Sequence, residues 1–143
     1  MAILTERNVR RMVINWLSRC GYKLNLREKE THEHGVGIKV RHYKYSRFYF
    51  VEVKEEPPSD CKNPDQRREN NLVYVIGQII TRMKTKSLDK YAIAFPVSYK
   101  KKAMKRLPWL ISKKLRLNIL FASKDGKVES VNWKDLKKYQ KVE

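Results

Sequence analysis

The chain has 143 residues, with 33 Lys and Arg against 15 Asp and Glu, and so a formal net charge of +18. Its 41% hydrophobic and 10% aromatic content, with only 5 Gly and 5 Pro, is enough for a core of its own and excludes a collagen-like or low-complexity chain. No run of about 18 apolar residues is present to span a bilayer, and the start, MAILTERNVRR, has no apolar signal region, so one cytoplasmic domain over 1–143 is expected.

Like charges at this density repel one another unless a polyanion is the working environment, which makes nucleic acid the leading partner and a membrane an unlikely one. Cys20 and Cys61 belong to no CxxC pair, so both are read as reduced thiols rather than as zinc ligands or a disulfide.

Taken in chain order, Val9, Met12, Val13, Trp16 and Leu17 recur at helical spacing after Thr5, a cap residue, and before Gly21, a stop. From Tyr22 the period becomes two, with Tyr22, Leu24 and Leu26 alternating against Lys23, Asn25 and Arg27. Val36, Ile38 and Val40 alternate likewise, and FYFVEV after the turn-like KYS has the content of a central strand. Three strands in a meander fit these lengths. The polar stretch EEPPSDCKNPDQRRENN reads as a surface loop, with Asn63 and Pro64 as cap and first-turn residue of a helix whose apolar stripe begins at Leu72. On that helix Leu72, Val75, Ile76, Ile79 and Met83 form the stripe, while Tyr74, Gln78 and Arg82 line another face.

YAIAF is a strand buried on both sides. Tyr99 to Leu107 and Trp109 to Arg116 are two helical pieces broken at Pro108. LNILFA is a last core strand, and Asp125-Gly126 turns it into VESVNW. The tail KKYQKVE is expected to fray, leaving a core over about 5–133. The pattern is a single α/β sandwich with a mixed sheet.

Chemistry concentrates in FYFVEVKEE, where Glu52 and Lys54 leave the same strand face about 7 Å apart. A carboxylate there is suited to hold a divalent cation, and the ammonium beside it to orient an attacking water at a phosphate; a cross-strand salt bridge is the alternative reading. The histidines His32, His34 and His42 are read as phosphate or water contacts rather than metal ligands. No phosphate-cradling glycine loop, GxSxG or HExxH element is present.

An amphipathic helix, a meander whose third strand ends in Glu-x-Lys, and a following helix with Gln78 in VIGQII together resemble the PD-(D/E)xK nuclease superfamily over roughly residues 5 to 122. The resemblance implies a restriction-endonuclease-like three-layer sandwich, a central mixed β-sheet flanked by helices. It further implies hydrolysis of DNA phosphodiester bonds with Mg²⁺ or Mn²⁺, Glu52 as metal ligand, Lys54 at the water and Gln78 as support, with Glu6 as an auxiliary acid. The first acid of the motif is replaced: HGVGIKV puts Gly37 at that position, and the resemblance implies that another acid, Glu33 or Glu30, takes its place as metal ligand.

Two basic clusters serve as the nucleic-acid surface. Lys39, Arg41 and Arg47 lie among Tyr43, Tyr45 and Tyr49, while Lys100, Lys101, Lys102 and Lys105 open the helical region, and Arg82 joins them. DNA is expected over RNA, and a homodimer is compatible with the resemblance. The rival readings are a catalytically degenerate nuclease fold that only binds nucleic acid, and a small RNA-associated basic protein.

Overall fold

The structure is a computed structural model that describes residues 4–24, 37–42, 48–83 and 89–141. Helix α1 (Glu6–Arg19) starts where Thr5 Oγ1 accepts the Asn8 N–H at 3.2 Å. Its stripe of Val9, Val13 and Leu17 is fully buried. Strands β1 (Tyr22–Leu24), β2 (Ile38–His42) and β3 (Phe48–Val53) follow as the expected antiparallel meander.

Helix α2 (Pro64–Thr81) then crosses to β4 (Lys90–Pro96), which pairs parallel with β3. The Asn63 side chain accepts from Gln66 N–H at 3.1 Å, so the anticipated cap is present. Asp65 to Asn71, whose polarity leaves the first turns of this helix undecided in the sequence, are helical. These first turns are anchored by charge, through Arg68 to Glu56, Lys102 to Asp65 and Arg106 to Glu69, a signal that apolar periodicity does not carry.

After a 3₁₀ turn at Val97–Tyr99 come α3 (Lys100–Arg106) and α4 (Trp109–Leu115), separated at Pro108 as expected, with Leu107 extended ahead of the proline. Strand β5 (Leu117–Ala122) pairs parallel with β4, and β6 (Val128–Val131) returns antiparallel through the Asp125-Gly126 turn, where Gly126 takes φ 88°.

The expected frayed tail is a helix, α5 (Trp133–Lys141). Asn132 Oδ1 accepts from Lys134 and Asp135 N–H, and Asp135 returns a bond to Asn132 N–H at 3.1 Å, a reciprocal cap. Leu136 is buried, and Gln140 bonds the Met104 and Leu107 carbonyls and the Trp109 N–H. The tail thus closes the gap that Pro108 opens.

The six strands lie in the order β1-β2-β3-β4-β5-β6. Each face of this mixed sheet carries its own core. On one, α1 packs on Ile38, Val40, Tyr49, Val51 and Val53, with Ala92, Ala94 and Ala122 leaving room for it. On the other, larger side chains of the same strands, Tyr91, Ile93, Phe95, Ile119 and Phe121, meet α2, α3 and α5. YAIAF is therefore buried on both sides, as its continuous apolarity requires. Among the described residues, no helix is long and apolar enough to cross a membrane.

Candidate nucleic-acid interface

Alternation along β3 sends Tyr49, Val51 and Val53 toward α1 and Phe50, Glu52 and Lys54 toward α2. Because β3 and β4 are parallel, α2 runs back along β3, and its residues at a spacing of four meet the outgoing strand in reverse order. Arg82, the C-cap residue of α2, donates to Glu52 Oε1. One turn earlier, Gln78 Nε2 donates to the Tyr74 hydroxyl at 3.4 Å, and the Lys54 ammonium stands 5.8 Å from the Tyr74 ring centroid. Farther along, Glu56 accepts from Arg68 at 3.4 Å and from Ser98. The expected second face of α2, Tyr74, Gln78 and Arg82, is thus the one turned to the Glu-x-Lys pair.

Glu52 is 4% exposed. A carboxylate this deep is costly without a counterion, and the Arg82 guanidinium is in that place. The sequence reading placed Arg82 in the nucleic-acid surface; the structure puts it on Glu52. Gln78 contacts Tyr74 rather than Glu52. The spacing of Tyr74, Gln78 and Arg82 contained this pairing, but nothing in it singled out the arginine as the partner of the acid.

Glu33, Glu30 and Arg47 lie outside the described residues. Glu6 is exposed on α1, across the sheet from Glu52. Its charge acts on Arg10, whose guanidinium is pulled down by burial, held up by Glu6, and reaches the Gly37 carbonyl at 3.4 Å. Among the described residues, Glu52 Oε1 is met by the Arg82 guanidinium, and no group of three His, Cys, Asp or Glu assembles.

Gly37 is more than a missing acid. A Cβ there would run into the Val51 carbonyl, with its carbon at 2.7 Å and Glu52 Cα at 2.9 Å. Only glycine lets β2 enter the sheet this close to β3. Gly37→Asp is therefore expected to lower stability by about 2 kcal/mol or more, read as a fall in urea midpoint. A variant as stable as wild type would refute this steric role.

The basic residues separate into two regions on the α2 side. On β2, the Lys39 ammonium lies 4.6 Å and 5.5 Å from the Phe48 and Phe50 ring centroids, and Arg41 is exposed two residues on. On α3, Lys100 pairs with Glu129 at 2.7 Å and Lys102 with Asp65 at 3.0 Å. Lys101 and Lys105 are exposed and have no ion pair among the described residues. Together with Lys102, Arg106 and the acids Asp65 and Glu69 they line an open cleft of about 650 Å³. A third cluster went unforeseen: Trp109 and Trp133 lie 6.0 Å apart between α4 and α5, with Lys113 and Lys137 over their rings. Reading the tail from Lys137 as frayed, and Trp133 as the end of the strand segment VESVNW, hid this cluster.

No family model, curated protein or solved structure matches the chain.

Proposed function

We propose that the chain is a DNA-binding protein that contacts phosphates through Lys39 and Arg41 beside α2 and through Lys101 and Lys105 on α3. The observation that carries this is the charge balance: if every acid took one cation, 18 Lys and Arg would still lack an acidic partner. Such cations release counterions when they meet phosphates, and that release drives binding with little regard to base sequence.

The PD-(D/E)xK-like reading of the fold is supported by element order: an amphipathic helix, three strands, Glu-x-Lys closing the third, and a helix bringing Gln78 to its side. Within that reading the Glu52–Arg82 pair favours the degenerate form, in which the acid is a structural counterion and binding is the activity.

Anisotropy titrations of labelled duplex, single-stranded DNA and structured RNA test this. Affinity for DNA is expected to fall roughly 10²-fold between about 50 and 200 mM salt if these four cations make the contacts, and Lys39→Ala with Arg41→Ala to reduce the salt slope by about two. A flat salt response, or preference for structured RNA, would sink the DNA reading. Cleavage of plasmid DNA with Mg²⁺ or Mn²⁺ that disappears in both Glu52→Ala and Lys54→Ala would replace it with hydrolysis.

A further inference from the structure

Helices α4 and α5 each begin with a tryptophan, and the two rings, Trp109 and Trp133, meet with centroids 6.0 Å apart. Both are half-buried, so each keeps part of its ring open. Trp109 packs against the core on the α2 side, whereas Trp133 packs on neither core of the sheet. A half-open indole forgoes much of the stabilisation that burial of its apolar surface would give.

Three ammonium groups gather on these rings. Lys113 and Lys134 stand 4.6 Å and 5.8 Å from the Trp133 centroid, and Lys137 stands 4.7 Å from that of Trp109. None of the three has an ion pair among the described residues. Asp135, the acid next to them in sequence, accepts instead from the Asn132 N–H. Like charges drawn to one place without an acid raise the free energy of the protein alone, and an incoming anion relieves it.

We propose that this cluster is a stacking site for unpaired DNA bases, in which Trp133 and Trp109 offer ring faces while Lys113, Lys134 and Lys137 move from those rings onto the flanking phosphates. It rests on the DNA-binding reading above and narrows it to single strands. The lysines call for a polyanion and the indoles for flat π-systems, and nucleic acid carries both. An acidic peptide would satisfy the lysines and leave the indoles without a partner. In a duplex the bases are stacked on one another, so only an unpaired base has a face to give. Helix α5 packs on α3 as well as on α4, which sets the cluster beside the helix that bears Lys101 and Lys105.

Titration of the full chain with oligo-dT and with duplex, followed by tryptophan emission and by anisotropy of the labelled DNA, tests this. The single strand is expected to bind more tightly than duplex and to quench the emission in part, Trp16 on the α1 side of the sheet supplying a constant background. Trp133→Ala is expected to weaken single-strand binding roughly tenfold or more at every salt concentration, because stacking releases no counterions, and to leave duplex affinity unchanged. Lys113→Ala with Lys137→Ala is expected to lower the single-strand salt slope by about 1.4. Duplex affinity is the folding control: if Trp133→Ala loses both ligands by unfolding, the wild-type emission and the lysine pair decide. Emission unmoved by the single strand, or a folded Trp133→Ala protein that binds it like wild type, overturns the proposal, and duplex binding with its steep salt response would then leave the proposed function standing alone. Emission that responds to phosphatidylglycerol vesicles and not to oligo-dT overturns it as well, by assigning the rings, with the exposed Leu110 (43%) and Ile111 (39%) beside them, to a membrane surface. A chain that binds no DNA removes both readings.

Discussion

Arg82→Ala is expected to destabilise the chain by about 3 kcal/mol, because it leaves the Glu52 carboxylate buried without the guanidinium that compensates it. Arg82 retains 32% side-chain exposure, which lets water reach part of the pair and keeps the effect at the low end for buried ion pairs. Arg82→Lys should recover part of the loss, since an ammonium supplies the charge without the fork of donors. Glu52→Ala combined with Arg82→Ala should cost less than the sum of the single changes, a coupling that urea denaturation of the four proteins measures directly. An Arg82→Ala variant that loses DNA affinity with its urea midpoint intact would show that the arginine serves the surface and not the core.

Raising the pH from about 10 to about 12 should remove on the order of 4 kcal/mol of stability through two tyrosines. Burial pushes Tyr49 up to about 12, against an opposing hydrogen bond from Asn118 at 3.3 Å. Tyr99 also rises to about 12 through burial, with the Asn71 bond opposing and Glu55 and Glu56 adding to it. Tyr99 donates to the Glu55 carbonyl at 2.8 Å and stacks on Phe95 at 4.6 Å. In both cases the folded state holds its proton more tightly than the unfolded chain. The stabilisation is complete below the ordinary tyrosine value near 10 and is lost as pH climbs to the folded value. Alkaline absorbance titration should show tyrosines ionising late and together with unfolding, and Tyr49→Phe and Tyr99→Phe should flatten the loss. Lysines discharge over the same interval, so the Phe variants isolate the tyrosine contribution. Ionisation of every tyrosine near pH 10 with the fold intact would contradict it.

Periodicity was sufficient wherever a residue's environment was set by its own element. Val9, Val13 and Leu17, the YAIAF strand, the Pro108 break and the Asp125-Gly126 turn all read directly, because each depends on spacing or on one residue's backbone preference. What was hidden depended on partners distant in sequence. Asp65 to Asn71 are helical because Lys102, Arg106 and Glu56 receive their charges. The last helix is held by Gln140 reaching three backbone groups around Pro108, although Asn132 and Asp135 were a capping signal in plain view. The Glu-x-Lys pair was legible as a site, and the face of α2 beside it as well. That Glu52 meets an arginine, and that Gly37 is fixed by contact with β3, required the third dimension.

Because the sheet is written across space in the same order as along the chain, no strand has to be inserted between two that are already paired. Growth from one side suits vectorial synthesis: as the ribosome releases the polypeptide, each new strand finds its docking edge already waiting. The antiparallel meander can form early from contacts close in sequence, and only the two helical crossovers demand longer loop closure. At each stage the newest strand offers the edge that the next one will cover, while the outer edge of β1 is set from the first pairing and takes no later strand.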